Sequence, residues 1–346
     1  MATGSVIILQ VSKGMERILR VEDLNVTYGE STRALRKVNF DLFQGEIVGI
    51  VGESGSGKST LGLAIASLLA LNKKVKFSGK VNVNGVDILN ASEEQLYRIR
   101  GTGIFVIFQD PFQSLDPLVS IEDHLSEAYA ISSDRNNVKV NPEQIRKAVI
   151  TALKKVNFTN PEVILKKYPH ELSGGQNQRI MIAMAILEKP KLLVADEPTT
   201  ALDVTTQAQV LTLLKKIVKE EDMSLLFITH DLAVASMLCD RIIVLYDGLI
   251  QEIGSVKETI SDPLHPYTKG LINSIPNESK KEGRLKFIKG MYIHNEVIDG
   301  CPFYPRCDSR KDECIKGIPS LIETRGRKVR CIIYGVEYER SDTTAK

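Results

Sequence analysis

The feature that most constrains this chain is a glycine-rich loop set between an apolar segment and a helix. Residues 47–51 (IVGIV) are apolar and mostly β-branched, which predicts a buried strand, and they run directly into GESGSGKS at 52–59. The glycines allow backbone N–H groups to curl around a phosphate, and the helix predicted over 61–71 turns its positive end towards the same anion. The segment therefore predicts a phosphate-binding loop.

The side chains of this loop predict ATP and Mg²⁺ as ligands. Lys58 supplies a cation to the β- and γ-phosphates, and the hydroxyl of Ser59 ligates the metal. The nucleotide-binding residues predicted here are Gly52, Glu53, Ser54, Gly55, Ser56, Gly57, Lys58, Ser59 and Thr60.

A second apolar segment ends in two carboxylates. Residues 191–196 (KLLVAD) predict a buried strand, Glu197 follows, and Pro198 ends the strand. Neighbouring strand residues point to opposite faces, which predicts different roles for the two acids. Asp196 would hold Mg²⁺ through water, and Glu197 would polarise the attacking water. Open α/β sheets bind ligands at the carboxyl ends of their strands.

Strands and helices alternate through this part of the chain. We expect further strands at 18–28 and 37–51, broken by Gly29 and Gly45, and at 224–229, with helices at 141–157 and 206–220. This alternation predicts an α/β core with a mostly parallel sheet.

A second glycine-rich loop, LSGGQ at 172–176, precedes a helix predicted over 177–187. It is a second anion site at a helix start. One nucleotide does not need two such loops, so the economical interpretation is that this loop covers the γ-phosphate bound by another copy or by a partner. The sequence therefore predicts composite sites across a dimer.

In order and spacing these motifs resemble those of the ATP-binding-cassette (ABC) ATPases over residues 18–276. The resemblance implies that Tyr28 (VTYG) stacks on adenine and that Gln109 (IFQDP) reaches Mg²⁺ and the water and links the site to a transport subunit. It implies that Asp203 (TTALD) couples two sites and that His230 (ITHD) contacts the γ-phosphate. The implied signature-loop residues are Ser173, Gly174, Gly175 and Gln176, and the implied catalytic residues are Glu197, His230 and Gln109.

The resemblance also implies an architecture: an α/β ABC-type P-loop ATPase core with an antiparallel β subdomain, an α-helical subdomain at about 110–175 and a small cysteine-bearing C-terminal domain. A shift in composition near 276–281 (PNESKK) marks the last boundary. Met15 opens a family-like phrase, so we expect 1–14 to be a dispensable extension or a start-site artefact. The predicted divisions are an N-terminal extension at 1–17, the ATPase domain at 18–276 and the C-terminal domain at 277–346.

Longer phrases are similar to the dipeptide/oligopeptide permease branch of the family: SLDP (114–117), YPHELSGG (168–175), DEPTTALDVTTQAQ (196–209), HPYTKGLINSIP (265–276) and GCPFYPRC (300–307). This implies the ATP-hydrolysing subunit of an importer of di- or oligopeptides, peripheral at the cytoplasmic face of the cell membrane. The implied partners are two transmembrane permease subunits, a second ATPase that is a different chain, and indirectly an extracytoplasmic solute-binding protein. A sugar or metal as the solute, and a homodimer of ATPases, stay open as alternatives.

Four of the five cysteines lie near the C-terminus, at Cys301, Cys307, Cys314 and Cys331. None forms the Cys-x₂-Cys pair common in zinc sites. The long, unequal intervals between these cysteines can surround a larger metal centre, so four thiolates suit a 4Fe–4S cluster. The resemblance implies the same, because this branch includes cluster-binding members. Zinc and unliganded thiols are the alternatives. We expect nearby basic residues to offset the cluster's charge (Arg306, Arg310, Lys311 and Arg330), and Cys239 to be a core residue.

Composition and motifs weigh against other classes of protein. The net charge is only +2, so nucleic acid is not an expected partner, and no apolar run is long enough to span a membrane. Soluble ABC ATPases of DNA repair or translation are the rival class. Repair members insert long coiled coils, but the interval from Ser59 to Leu172 lacks sustained heptads, and translation members carry two cassettes where this chain has one. A GTPase would need Asn-Lys-x-Asp, which NKKV at 72–75 does not match.

Overall fold

The fold is described here from a computed structural model that covers residues 16–69, 74–200, 202–275, 288–290 and 300–339. Several of the sequence predictions fall at least partly outside these residues: the extension at 1–14, the end of the helix at 61–71, the comparison made at 72–75, the boundary near 276–281 and parts of the domain at 277–346.

The centre of the described fold is an eight-stranded sheet. Its strands are β3 (Ile47–Val51), β6 (Ile104–Ile107), β7 (Leu192–Asp196), β8 (Ser224–Thr229), β9 (Arg241–Tyr246), β10 (Leu249–Ser255), β11 (Ile322–Thr324) and β12 (Arg327–Val329). They lie in the order β11-β12-β10-β9-β3-β8-β7-β6. The run from β9 to β6 is parallel, and β10, β12 and β11 extend it as antiparallel strands.

Strand β3 is buried on both faces of this sheet. Ile47 and Val51 belong to one apolar cluster, whereas Val48 and Ile50 belong to a second cluster on the other face. This two-residue alternation is the geometry of a strand, and the covering of both faces explains why its sequence is apolar throughout.

A second sheet is antiparallel and has the order β2-β1-β4-β5. Its strands are β1 (Arg17–Tyr28), β2 (Thr32–Phe43), β4 (Val75–Val83) and β5 (Val86–Asp87). The strand region predicted at 37–51 divides at Gly45, where the sequence predicts a break, and its two halves belong to different sheets. Gly45, with φ of +71°, lies in the turn that separates them.

Helices flank the main sheet. They are α1 (Lys58–Ile65), α2 (Glu93–Ile99), α3 (Pro111–Ser114), α4 (Ile121–Arg135), α5 (Pro142–Lys155), α6 (Pro161–Leu165), α7 (Gly174–Glu188), α8 (Val204–Glu220), α9 (Leu232–Leu238), α10 (Val256–Ser261) and α11 (Pro266–Ser274), with 3₁₀ turns at Pro169–Glu171, Tyr304–Arg306 and Asp312–Ile315. Helices α4, α5 and α7 pack on one another, forming the helical region that follows β6. Within the described ranges, none of these helices has the length and apolarity needed to cross a bilayer. The predicted α/β core with an antiparallel sheet and a helical region is confirmed.

The C-terminal segment (residues 300–339) joins the main sheet. Strand β12 pairs with β10, with Val329 opposite Glu252. Phe303 and Ile332 belong to the same apolar cluster as the main core. The buried Arg327 in β12 forms an ion pair with the fully buried Glu252, at 3.4 Å. The segment thus shares the core of the ATPase fold, and its division from that fold as a separate domain stays a prediction.

Candidate active site

The phosphate loop lies where β3 meets α1, as the sequence predicts. Only glycine fits two of its positions. A Cβ on Gly52 would lie 2.2 Å from the carbonyl oxygen of Leu245, and one on Gly57 would lie 2.4 Å from that of Ala34. Gly57 also has φ of +103°, a conformation that L side chains rarely adopt. The loop is therefore held tightly against neighbouring backbone at the start of α1.

Lys58 is buried inside this loop, where its Nζ donates to the carbonyl oxygens of Gly52 and Glu53, each at 2.9 Å. Burial lowers the pKa of Lys58, and the negative charges of Glu197, Asp196 and Glu53 act in the opposite direction. The amino group of Lys58 therefore lies at the centre of the loop, near carboxylates that favour its charged form.

Ser56 provides a test of whether the loop fits a phosphate. Its Oγ is buried and has no hydrogen-bond partner among the described residues. A buried hydroxyl without a partner is uncommon, because it loses its bond to water without a replacement. A phosphate oxygen in the loop would supply that partner, so the residues present fit the predicted ligand.

The predicted Mg²⁺ ligands Ser59 and Asp196 lie next to each other. Ser59 Oγ donates to Asp196 Oδ1 at 3.4 Å. Burial raises the pKa of Asp196, while the hydrogen bond from Ser59 lowers it. Gln109 follows β6, the strand beside β7, and is exposed. The oxygens of Ser59 and Asp196 are of the kind that Mg²⁺ prefers, and a role for Gln109 beside them stays a prediction.

Glu197 lies just after β7 in an unusual backbone conformation. Its φ is +46°, which is strained for a glutamate, and its N–H donates to the carbonyl oxygen of Ile228 in β8. Its Oε2 lies 3.1 Å from His230 Nδ1 and accepts from Thr200 Oγ1 at 3.0 Å. The alternation of a strand was expected to point Asp196 and Glu197 to opposite faces. Glu197 instead has a left-handed backbone, which directs its side chain towards His230.

Tyr28 lies at the end of β1, on the nucleotide-binding side of α1. Its hydroxyl is 3.4 Å from Thr60 Oγ1, and the ring is partly buried. The stacking of this ring on a base stays a prediction.

The signature loop (residues 173–176) forms the N-terminus of α7. Ser173 and Gln176 make a capping box, in which Ser173 Oγ accepts from Gln176 N at 3.3 Å and Ser173 N donates to Gln176 Oε1 at 3.0 Å. A Cβ on Gly175 would lie 2.5 Å from Thr206 Cγ2, so the loop packs closely on the start of α8. Asp203 caps that helix by accepting from the N–H groups of Thr205 and Thr206, at 3.1 and 3.0 Å.

The four C-terminal cysteines line one small cavity. The cavity is also lined by His265, Pro319 and Phe303, and its free volume is about 10 Å³. Burial raises the pKa of Cys301 to about 12, and it also raises the pKa of Cys307 and Cys331. Nδ1 of His265 accepts from the N–H of Tyr267 at 3.0 Å, so this nitrogen is not free as a ligand. The cysteines that line the cavity are Cys301, Cys307, Cys314 and Cys331.

The fit of this cavity to a metal centre is mixed. In the part of the chain that the structure describes, no group of three or more His, Cys, Asp or Glu side chains is arranged to hold a metal ion. The free volume is about that of one water molecule. Four sulfur donors are a suitable set for a cluster, but a cluster fits only if the surrounding loops move outward. Cys239, by contrast, is a core residue as predicted, buried beside Gly49.

Sequence reasoning missed two residues that contact the phosphate loop. Tyr267 accepts a hydrogen bond from the N–H of Glu53 at 2.8 Å, and the guanidinium of Arg306 pairs with the carboxylate of the same residue. Arg306 was expected to offset the charge of a cluster, but it points to the phosphate loop instead. No local signal identifies these contacts, because Arg306 and Glu53 are 253 positions apart.

Comparisons with known proteins agree with this geometry. A family model described as ABC transporter matches residues 35–200, and a model for the C-terminal region of oligopeptide/dipeptide transporters matches residues 251–314. The chain is 40% identical over 324 residues to a dipeptide transport ATP-binding protein of Bacillus subtilis, covering 92% of this chain and 95% of that protein. It is also 40% identical over 321 residues to an oligopeptide transport ATP-binding protein of Escherichia coli, with 91% and 93% covered.

A solved structure gives the same result for the fold. A dimeric ATP-binding cassette in a post-hydrolysis state, bound to ADP and Pi, matches with a TM-score of 0.60 at 31% identity, over 69% of this chain and 99% of that one. The fold and the site together define an ABC-type ATPase. Within that class, the chain belongs to the dipeptide/oligopeptide transporter family of ATP-binding proteins.

Proposed function

We propose that this chain is the ATP-hydrolysing subunit of an ABC importer that takes up dipeptides or oligopeptides through separate membrane subunits. The observation that carries the ATPase assignment is the assembly of Lys58, Ser59, Asp196, Glu197 and His230 at one edge of the main sheet. Similarity to peptide-transport ATP-binding proteins over more than nine tenths of the chain supports the choice of solute.

Each of these site residues has a separate role in the hydrolysis of ATP. ATP would supply the β–γ phosphoanhydride bond, and Mg²⁺, held by Ser59 and Asp196, would neutralise charge on the phosphates. Lys58 exchanges the carbonyl oxygens of Gly52 and Glu53 for phosphate oxygens, and Ser59 with Asp196 forms the metal-binding edge. Glu197 accepts a proton from the attacking water, and His230, beside its carboxylate, orients the reacting phosphate.

We further propose that the signature loop acts on a nucleotide held by a second ATPase subunit. The capping box leaves Ser173 and the N-terminus of α7 at the surface, where a neighbouring nucleotide can meet them. Asp203 and Gly175 lie where α8 begins, so the signature loop packs on the helix that follows the segment after Glu197. The partners in this proposal are a second ATPase chain, two membrane permease subunits contacted near Gln109, and indirectly a solute-binding protein, with this chain at the cytoplasmic face.

For the cysteine cavity we propose one shared role, the binding of a 4Fe–4S cluster. The support is that all four thiols line one cavity and that the residue types fit such a centre. Anaerobic purification, followed by an absorbance spectrum and assays of iron, sulfide and zinc, tests the proposal. About four irons with matching sulfide per chain would support it. Stoichiometric zinc, or no metal at all, would overturn it.

The transport function is tested by uptake of labelled di- and oligopeptides in cells that lack the gene. We expect the wild-type gene to restore uptake and the Glu197→Gln gene, expressed at the same level, to fail. Restored uptake of a labelled sugar or metal ion, with no change in peptide uptake, would contradict the peptide assignment. That result would favour an importer of another solute.

A further inference from the structure

The part of the chain beyond β10 holds one residue of the phosphate loop at both its side chain and its backbone. Arg306 Nη1 lies 2.6 Å from Glu53 Oε2, and Nη2 lies 3.0 Å from Oε1, so the pair is bidentate. Tyr267, in α11, accepts from the N–H of Glu53 at 2.8 Å. Two separate contacts thus tie the second residue of the loop to the part of the chain beyond β10.

The position of Arg306 is fixed by further contacts. It ends a 3₁₀ turn (Tyr304–Arg306), its Nε donates to the carbonyl oxygen of Lys289 at 3.2 Å, and Nη1 also donates to the hydroxyl of Tyr246 at 3.3 Å. The guanidinium side chain is only 8% exposed, whereas the Glu53 side chain is 28% exposed. The charged group is therefore held in place with respect to the loop, as a flexible surface arginine would not be.

Aromatic rings connect this contact with the cysteine cavity. Phe303, which lines the cavity, packs edge-on against Tyr246 with ring centroids 5.4 Å apart, and it also contacts Tyr267 at 5.3 Å. Tyr246 and Tyr267 are the two rings whose hydroxyls lie at Arg306 and Glu53. The cavity and the phosphate loop are thus joined through close-packed side chains.

The charge of Glu53 explains why this contact matters for nucleotide binding. A carboxylate on a loop that binds polyphosphate repels the ligand, and the repulsion is strong where water is partly excluded. Arg306 pairs with the carboxylate in a bidentate contact and offsets its charge. Glu53 is also among the charges that act on Lys58, so the orientation of its carboxylate affects that residue.

We propose that Arg306 is a positioning residue for nucleotide binding, through which the C-terminal segment sets the affinity of the phosphate loop for a nucleoside triphosphate. The inference rests on the proposed role of residues 52–60 as the ATP site. It adds that ATP affinity depends on the charge balance between Glu53 and Arg306.

A charge-swap cycle on the full-length chain tests this. The variants are Arg306→Gln, Glu53→Gln, the double variant and Arg306→Lys, with dissociation constants for ATP measured by calorimetry and with KM and kcat for ATP measured separately. Arg325→Gln is the matched control. Arg325 lies in the same segment as Arg306 and forms an exposed ion pair with Asp262. We expect Arg306→Gln to weaken ATP binding about tenfold, through KM, with kcat within about twofold.

The double variant is the decisive one. Because it carries neither charge, we expect its ATP affinity to return to within about threefold of the wild type. Arg306→Lys, which keeps the charge but loses the bidentate geometry, should fall between the wild type and Arg306→Gln. Glu53→Gln alone, which keeps the arginine and removes the carboxylate, should bind ATP more tightly than Arg306→Gln does, and the affinity of the Arg325→Gln control should not change.

Two results would overturn the inference. Unchanged ATP affinity in Arg306→Gln would show that the ion pair has no role in binding. A double variant as weak as Arg306→Gln would show that the arginine acts through the folding of the segment and not through Glu53. Lys58→Ala, measured alongside, distinguishes failure of the Arg306 inference from failure of the ATP-site assignment. If Lys58→Ala still binds ATP, the assignment of the loop is wrong, whatever the result for Arg306.

Discussion

Replacing Arg327 with methionine tests whether the C-terminal segment is part of the ATPase fold. The Arg327 side chain is 3% exposed and Glu252 is 0% exposed, and the two form an ion pair at 3.4 Å between β12 and β10. Arg327 also donates to the carbonyl oxygens of Glu258 and Asp262, at 3.2 and 2.8 Å. Methionine keeps most of the length of the side chain but none of these bonds.

The expected cost follows from the burial of Glu252. Its carboxylate keeps the N–H groups of Leu264 and His265, at 3.0 and 2.8 Å, but it would lose its only cation among the described ion pairs. Breaking a buried pair from one side costs about 3–5 kcal/mol. For a chain of this size that corresponds to a decrease in melting temperature of roughly 2 °C per kcal/mol.

Arg325→Met is the matched control. Arg325 and Arg327 both pair with Asp262, but Arg325 is 62% exposed, so its loss should cost less than about 1 kcal/mol. Urea unfolding of the full chain, followed by far-UV circular dichroism because the chain has no tryptophan, measures both variants. An Arg327→Met variant that loses no more stability than Arg325→Met would refute the claim that this segment shares the buried core.

Two further predictions concern the nucleotide site and the helical region. Lys58→Ala should abolish ATP binding in calorimetry, because it removes the cation from the centre of the loop, and tight residual binding would count against the loop assignment. Glu188 is buried beside Arg135, and burial raises its pKa from 4.5 to about 7. Between these values the folded state holds a proton that the unfolded chain has released, so this group lowers stability as the pH rises through that window. The free energy of unfolding of Glu188→Gln, relative to that of the wild type, should therefore rise by up to about 3 kcal/mol between pH 4.5 and pH 8. A difference that stays constant across this range in urea titrations would contradict the prediction.

Local signals in the sequence predict much of the fold. The helix at 141–157 is predicted from Asn141 and Pro142, and the structure shows α5 beginning at Pro142 with the capping box of Asn141 and Gln144 in place. The strand at 224–229 matches β8. In both cases the deciding information lies within a few residues: a cap and a helical period for one, an apolar β-branched run for the other.

Features that depend on distant partners are not predicted. Gly45 marks a break within residues 37–51, but only the pairing of β2 with β1 and of β3 with β8 shows that the two halves belong to different sheets. Glu197 has a left-handed backbone that its strand-like context does not indicate. The pairing of Arg306 with Glu53 depends on how β10 and the C-terminal segment fold back on the main sheet, and no local pattern encodes it.

The central claim is that Glu197 is the catalytic base of an ATP site at the carboxyl edge of the main sheet. It is tested most directly by measuring ATP binding and single-turnover hydrolysis for the wild type and for Glu197→Gln in the assembled transporter. The account predicts that Glu197→Gln binds ATP within about twofold of the wild type and accumulates as a closed dimer with uncleaved ATP. It predicts that hydrolysis falls by about 10²–10⁴, the usual contribution of a positioned base. Unchanged turnover in Glu197→Gln would contradict the account.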